Sequence, residues 1–204
     1  MSEQKLLTYG AIALGGIAMA WMVARLSAPA GTSVANLEPL SFPSDVTTVQ
    51  IGQLEAAVDP GWIRESPSSS MRVAQFRLPT QRRGGEDAEL AVFSGIGGTV
   101  EDNLNRWFGQ FKQPDGTDSK SKARVREFTV GGMNTTIADL TGTFTGGGMP
   151  MSPRVEKSEF RMLAAIVESP ADVYYFKLVG SQVTVEDWAE VFGRFIGTLQ
   201  FASR

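Results

Sequence analysis

The carboxylates of the segment Pro114–Asp118 are the most regular set of metal-ligating side chains in the sequence. Asp115 and Asp118 are three residues apart, with Gly116 and Thr117 between them. Ca²⁺ prefers carboxylate and carbonyl oxygens, but an EF-hand loop needs more acidic ligands and a distal Glu, which this segment lacks. The spacing therefore predicts a polar turn after a helix, with loose calcium binding as the alternative.

The glycine-rich segment Gly95–Gly98 precedes a helix start at Thr99 and resembles a phosphate-binding turn. Such turns offer backbone amides to a phosphate, but this segment lacks both the Walker lysine and the dinucleotide-binding spacing. Glycine also serves wherever the chain needs a positive φ. The pattern therefore predicts a strand-to-helix turn, with phosphate binding as the alternative.

Basic residues cluster between positions 112 and 126, at Lys112, Lys120, Lys122, Arg124 and Arg126. Alternation along a strand places Lys122, Arg124 and Arg126 on one face. A basic face suits anionic lipid or an acidic surface of a partner protein. We therefore predict a solvated strand face, with contact to anionic lipid or an acidic partner as the alternative.

Histidine and cysteine are absent from the chain, which has 204 residues. Without cysteine there is no disulfide, thiolate nucleophile or iron–sulfur ligand. Without histidine there is no Ser-His-Asp triad and no imidazole ligand for zinc or haem. The net charge of −3 argues against a nucleic-acid partner. We therefore predict a protein that is not an enzyme and binds no cofactor; an enzyme that works with carboxylates alone is the alternative.

The segment Leu6–Ala24 is an uncharged, mostly apolar run of about 19 residues. As a helix it would extend roughly 28 Å, close to the roughly 30 Å of a bilayer's hydrocarbon core. Tyr9 and Trp21 lie near its ends, where aromatic rings favour the headgroup layer, and Arg25 follows it. The run predicts a transmembrane anchor over residues 1–25, with the lipid bilayer as a partner.

A cleaved signal peptide is the rival interpretation, because Ala28-Pro29-Ala30 forms a small-x-small cleavage site. The segment Met1–Lys5 has almost no net positive charge, and the apolar run is long for a signal sequence, which favours a retained anchor. Lys5 and the amino terminus precede the run, whereas only Arg25 follows it before Arg64. This distribution predicts a single-pass protein of a bacterial inner membrane, with a cytoplasmic N-terminus and a periplasmic domain.

Small residues recur at every fourth position of the predicted anchor, a spacing that allows another helix to approach closely. The alternative is that small residues are simply frequent in membrane helices. Apolar residues of the following linker, and methionines of a later glycine-rich loop, also suit contact with a neighbouring protein. The residues predicted to contact partner subunits are Ala11, Gly15, Gly16, Ala20, Ala24, Leu40, Phe42, Met149 and Met151.

Residues 26–46 contain three prolines among small residues and are predicted to be an extended linker. Residues 47–204 are then expected to form one domain. Its patterns predict strands over 71–78, 88–93, 125–130, 135–144, 160–168 and 173–179, and helices over 99–111 and 184–199. Because most connections are short, we expect a mainly antiparallel sheet flanked by helices, which is an α+β fold.

The two predicted helices begin alike, with Thr99-Val100-Glu101-Asp102 and Thr184-Val185-Glu186-Asp187. A Thr N-cap followed by an acidic N3 residue satisfies free amide groups at a helix start. We therefore predict helix caps at Thr99 and Thr184 rather than duplicated metal sites. Alternation in the strand over 71–78 predicts one face with Met71, Val73 and Gln75 and the other with Arg72, Ala74 and Phe76.

Several segments together resemble a group of exported bacterial proteins and lipoproteins with the PsbP-like fold. They are Trp62 with Met71–Pro79, Asp87–Phe93, and Asn103–Phe111 with Pro114-Asp115-Gly116. The resemblance covers about residues 50–200 and implies an antiparallel sheet flanked by helices. Its motifs are structural rather than catalytic. The namesake of the fold is an extrinsic accessory subunit of a photosynthetic complex, so the resemblance implies a non-catalytic, stabilising role.

We therefore expect a single-pass accessory subunit that stabilises a larger membrane protein complex on its exported face. Other membrane protein subunits are the expected partners, and a photosynthetic or electron-transfer complex is a host consistent with the resemblance. The alternative is a membrane-tethered periplasmic binding module for a small ligand, a lipid or an envelope component.

Overall fold

The computed structural model describes residues 46–146 and 156–202. These residues form eleven strands and three helices. The strands are β1 (Thr47–Ile51), β2 (Leu54–Val58), β3 (Ile63–Glu65), β4 (Arg72–Leu78), β5 (Ala88–Ser94), β6 (Phe111–Lys112), β7 (Arg124–Val130), β8 (Met133–Phe144), β9 (Lys157–Glu168), β10 (Val173–Ser181) and β11 (Gln200–Phe201). The helices are α1 (Val100–Phe108), α2 (Ser119–Lys122) and α3 (Gln182–Gly197).

The main sheet has the strand order β3-β4-β5-β10-β9-β8-β6, and β7 also pairs with β8. A second sheet of three strands has the order β1-β2-β11. Every pairing between the described strands is antiparallel. The α+β fold with a mainly antiparallel sheet and flanking helices, expected from the sequence, is confirmed.

The main sheet is covered on both faces. Helix α1 packs on one face through Leu104, Trp107 and Phe108. Helix α3 and the three-stranded sheet pack on the other, in a cluster that includes Ile51, Leu54, Trp188 and Phe195. Strand β9 lies between the two layers, which explains its nearly continuous apolar sequence: alternate residues enter opposite clusters.

The hairpin β7–β8 turns at Gly131-Gly132, as the sequence predicts. Both glycines have positive φ, 55° and 78°, which is the combination that a two-residue type I′ turn requires. A Cβ at Gly131 would also lie 2.6 Å from the carbonyl oxygen of Leu199, so that position has no room for a side chain.

The two helix starts differ, although their sequences match. At Thr99 the predicted capping box is present: its hydroxyl accepts from the amide of Asp102 at 3.1 Å, and the Asp102 carboxylate accepts from the amide of Thr99 at 3.0 Å. The cap predicted at Thr184 is wrong, because α3 begins two residues earlier, after Ser181. The hydroxyl of Thr184 is buried and donates to Thr80, which ties α3 to the loop after β4.

The end of α1 and the alternation along β4 were also predicted wrongly. Helix α1 ends at Phe108, and Phe111 lies in β6, where it pairs with Phe144 instead of extending the helix. In β4 a register shift between Arg72 and Ala74 interrupts the predicted alternation. Arg72 therefore lies on the α1 side with Gln75, whereas Ala74 and Phe76 enter the core on the α3 side.

The predicted anchor over 1–25 and nearly all of the predicted linker over 26–46 lie outside the described residues. So do the predicted contact residues Ala11, Gly15, Gly16, Ala20, Ala24, Leu40, Phe42, Met149 and Met151. Among the residues that the structure does describe, none of the helices combines the length and the apolar character needed to cross a bilayer.

Candidate functional site

An open cleft of about 910 Å³ lies beside the N-terminal part of α1. Its volume falls in the range of roughly 300–1,000 Å³ that is typical of small-molecule sites. The lining residues are Met71, Phe93, Ser94, Gly95, Ile96, Gly97, Gly98, Asp102, Arg106 and Trp107. We refer to this feature as the α1 cleft.

One wall of the α1 cleft is the turn Gly95–Gly98, which connects β5 to α1. Gly95 and Gly98 have φ of 65° and 98°, values that favour glycine. The side chain of Asn103 is fully buried, and its amide donates to the carbonyl oxygens of Gly97 at 3.3 Å and Thr99 at 2.9 Å. The glycines therefore form a strand-to-helix turn that Asn103 holds in one conformation.

The helix end of the cleft carries a negative charge. The backbone amide of Thr99, followed by its hydroxyl, lowers the pKa of the Asp102 carboxyl below its ordinary value. Asp102 is therefore ionised at neutral pH. Because an anion would meet this carboxylate at the start of α1, the capped turn is a poor phosphate site.

The floor of the α1 cleft is aromatic. Phe93 and Trp107 line it, and the ring of Trp107 is perpendicular to the ring of Tyr175, at a centroid distance of 6.2 Å and an interplanar angle of 89°. The guanidinium of Arg72 lies 5.8 Å from the centroid of Phe93, and Arg106 donates to the buried side chain of Asn103 at 3.1 Å. An aromatic floor with a fixed guanidinium beside it suits a planar or apolar ligand that carries a negative group.

Lys177 lies behind the cleft floor, on the sheet face that α1 covers. Its ammonium is 5.8 Å from the centroid of Trp107 and 5.7 Å from that of Phe144, and it donates to the side-chain oxygen of Gln110. Burial lowers the pKa of Lys177 to about 8. Its charge is therefore held by aromatic faces and one amide rather than by a carboxylate.

Next to the cleft, a network of charged side chains covers β3, β4 and β5 on the same face. At its centre is Gln75, which is 5% exposed. The Gln75 oxygen accepts from Arg72 at 2.7 Å, and its nitrogen donates to Glu65 at 3.1 Å and Glu89 at 3.3 Å. Arg77 bonds Glu65 and is 2.9 Å from Asp87. The network joins two guanidinium groups to three carboxylates, and these contacts order the sheet edge beside the cleft.

The carboxylates of Pro114–Asp118 lie in a turn, as the sequence predicts. Asp115 accepts from the amide of Thr117 at 3.0 Å and pairs with Lys122 at 2.9 Å. Asp118 caps the short helix α2 by accepting from the amide of Lys120. Within residues 46–146 and 156–202, no group of three or more carboxylates is arranged to hold a metal ion.

The basic cluster predicted between positions 112 and 126 does not form one face. Lys112 pairs with Glu156, Lys120 with Glu101, and Lys122 with Asp115. Lys122 belongs to α2 rather than to the strand. Only Arg124 and Arg126 share a strand, β7, and they line a groove of about 240 Å³ beside α3, together with Asp139, Arg161, Ala189 and Gly193 among others. We refer to this feature as the arginine groove.

Sequence reasoning missed both the α1 cleft and the inner part of the arginine groove. Trp107 is buried and also lines the cleft, and nothing in the sequence spacing shows that it does both. Asp139 and Arg161 gave a usable signal, because Asp139 is the only charged residue of β8 and Arg161 interrupts the apolar run 160–167 of its partner strand β9. Such charges are rarely buried unless they are paired.

The class of fold defined here is an antiparallel sheet between a single helix on one face and a helix with a small sheet on the other. No family model matches the chain, and no curated protein matches it. Among solved structures, the chain is similar to the cyanobacterial PsbP of Synechocystis sp. PCC 6803, with 12% identity and a TM-score of 0.48 over 80% of this chain and 99% of that one.

It is also similar to a protein of unknown function from Pseudomonas aeruginosa, with 11% identity and a TM-score of 0.42 over 75% of this chain and 94% of that one. A PsbP is thus among the similar structures, as the sequence resemblance predicted. At these identities the likeness concerns the fold alone, and it assigns no role to the α1 cleft or the arginine groove.

Proposed function

We propose that this chain is a non-catalytic accessory subunit of a membrane protein complex. In this proposal Leu6–Ala24 anchors it in the bilayer of a bacterial inner membrane, and the α+β domain contacts the complex on the exported face. The observation that carries the proposal is the uncharged run Leu6–Ala24, which is long enough to span the hydrocarbon core and directly precedes the linker and the domain.

The arrangement of charges in the described domain supports a binding role rather than a chemical one. The carboxylates near the α1 cleft and the Gln75 network have fixed partners: Asp102 bonds Thr99, and Glu65 bonds Arg77. A general acid–base pair needs two groups aimed at one reacting atom. Side chains with such partners instead present a rigid surface, which suits stable contact with another subunit.

Purification of the intact chain from its own membranes in mild detergent tests the proposal. We expect a stoichiometric complex with other membrane subunits on native electrophoresis, and a native N-terminus that precedes Leu6. A chain that migrates alone, or a mature N-terminus at Gly31, would contradict the accessory role.

The predicted small-residue face of the anchor provides a sharper version of this experiment. Replacing Gly16 and Ala20 with Leu should release the chain from the complex, because bulky side chains prevent close helix approach. Ala18→Leu is the matched control, since in a helix a residue two positions away points roughly 200° around the axis. If both variants co-purify equally, the anchor does not pack through this face.

A second candidate function is a tethered binding module, which the α1 cleft favours. Its aromatic floor and Arg106 suit a planar or apolar anion, for which the dye anilinonaphthalene sulfonate is a suitable probe. Binding at the cleft should change the emission of Trp107 and weaken in Arg106→Ala. An equal dye signal from the wild-type chain and from Trp107→Leu would place the dye elsewhere and remove the support for this candidate.

A further inference from the structure

The first half of strand β7 forms an edge of the main sheet. It pairs only with β8 among the described strands, and Arg124, Val125, Arg126 and Glu127 are all exposed. An exposed edge offers unpaired backbone amides and carbonyls to another extended chain. Strand addition at such an edge is a recurring mode of peptide recognition.

The turn at Gly131-Gly132 determines which backbone groups of β7 face outward. In a two-residue hairpin the residues that flank the turn, here Val130 and Met133, form a hydrogen-bonded pair. Because these pairs alternate along the ladder, the amides of Val130, Phe128, Arg126 and Arg124 point toward β8. The amides of Val125, Glu127 and Thr129 therefore point away from it, toward any added strand.

The side chains on the α3 side of this edge are strongly basic. Arg124 is 73% exposed and lies 3.4 Å from Asp139, whose carboxylate is already bound by Arg161 through two contacts. Arg126 has no carboxylate partner among the described residues. With three guanidinium groups and one carboxylate, the arginine groove carries a net charge of about +2 at neutral pH.

We propose that the edge of β7 binds an extended acidic segment of a partner protein as an added antiparallel strand. Arg124 and Arg126 are two residues apart on a strand, so their Cα atoms are separated by roughly 6.8 Å, which is also the spacing of alternate residues on a neighbouring strand. A partner segment with Asp or Glu at alternate positions places its carboxylates opposite both arginines. This inference rests on the accessory role and names the surface through which that role operates.

A protein segment fits this surface better than an anionic membrane does. Polybasic attraction to a membrane needs several Lys or Arg side chains spread over a surface. The arginine groove is concave and narrow, with apolar walls from Ile137, Leu163 and Phe192. The chain as a whole is also acidic, with a net charge of −3. Charged residues on an edge strand also protect proteins against aggregation. The experiment below distinguishes this role from peptide binding.

Fluorescence anisotropy with the full chain in mild detergent tests the inference. The probe is a fluorescein-labelled peptide in which Asp alternates with Val and Thr, and the control peptide carries Lys in place of Asp. We expect saturable binding of the Asp peptide that weakens at high salt. We expect about tenfold weaker binding to Arg124→Glu/Arg126→Glu, and less than about twofold change for Arg64→Glu/Arg83→Glu, which alters the net charge equally at two other exposed arginines.

A second pair of variants separates strand addition from simple charge attraction. Glu127→Pro removes an amide that points away from β8, a position where an edge strand tolerates proline. Glu127→Ala removes the same carboxylate and keeps the amide. We expect Glu127→Pro to lose about tenfold in affinity and Glu127→Ala to bind at least as tightly as the wild type, with unchanged circular dichroism for both.

Three results would overturn the inference: no binding of the Asp peptide, unchanged binding by Glu127→Pro, or arginine-dependent binding to phosphatidylglycerol vesicles without peptide binding. Co-purification from membranes tests the accessory role separately from strand addition at β7. A chain that enters a complex but fails the peptide assay contradicts strand addition alone. A chain that binds the peptide but purifies alone contradicts the accessory role alone.

Discussion

Arg161 and Asp139 form a two-point ion pair across the neighbouring strands β9 and β8. The Nε–Oδ1 distance is 2.8 Å and the Nη2–Oδ2 distance is 3.0 Å. The two side chains are only 18% and 17% exposed. The pair lies on the α3 side of the sheet, at the inner end of the arginine groove. It therefore fixes the position of the only carboxylate among the residues that line the groove.

Asp139→Asn should destabilise the domain by about 2 kcal/mol, because it leaves a largely buried guanidinium without its counter-charge. The double variant Asp139→Leu/Arg161→Met should lose less stability, since it removes both charges and keeps apolar volume. Urea unfolding followed by tryptophan fluorescence measures both. If Asp139→Asn and the wild type are equally stable, the ion pair makes no net contribution to the free energy of unfolding.

Thr99→Ala should destabilise the domain by about 1 kcal/mol through loss of the capping box. The free energy of unfolding of the wild type should exceed that of the variant most at neutral pH. The amide of Thr99, which alanine keeps, is the larger cause of the lowered pKa of Asp102, and the hydroxyl adds to it. The part of the advantage that comes from the hydroxyl is present above the ordinary carboxyl pKa and is lost as the pH falls through the lowered value. Unfolding titrations between neutral and acidic pH check both statements. The exposed Thr47→Ala is the control, and an equal cost there would contradict the cap.

The six longest strands could be predicted because each follows from a local pattern, whereas the short strands β1, β2, β3, β6 and β11 were not predicted. The pairs β4–β5, β7–β8 and β9–β10 came from alternation bounded by glycine or proline. The bulge in β4 could not be predicted, because no local pattern marks the register shift that moves Arg72 to the α1 side. The start of α3 was missed because Thr184 bonds Thr80, a residue more than one hundred positions away.

The two candidate sites could be predicted even less well than the fold, because they are formed by residues distant in the sequence. The turn Gly95–Gly98 was visible in the sequence, but the cleft exists only because β5 and α1 bring Phe93 and Trp107 together. The arginine groove likewise joins Arg126 of β7 to Gly193 of α3. Sequence spacing predicts which residues share a face of one element, whereas a site between elements requires their packing.

Lys177 provides a test at alkaline pH. Its pKa is lowered to about 8, chiefly by burial, while the unfolded chain has the ordinary lysine pKa of about 10.4. Between these values the unfolded state binds more protons, so the contribution of Lys177 to stability rises with pH, by up to about 1.4 kcal/mol per pH unit. The stability difference between the wild type and Lys177→Met, measured by urea unfolding, should therefore shift in favour of the wild type from pH 8 to 10. A constant difference would show that Lys177 stays charged.

Two glycines differ in the space around them and should respond to alanine in opposite ways. A Cβ at Gly180 in β10 would lie 2.5 Å from the Cβ of Ala88 and 2.7 Å from its Cα, so Gly180→Ala must separate β10 from β5. A Cβ at Gly193 in α3 would meet nothing within 4 Å. We expect Gly180→Ala to cost about 2 kcal/mol or more through overpacking, and Gly193→Ala to add about 0.5–1 kcal/mol through helix propensity. Thermal and urea unfolding measure both, and a neutral Gly180→Ala would contradict the tight pairing of β5 with β10 on which the central sheet depends.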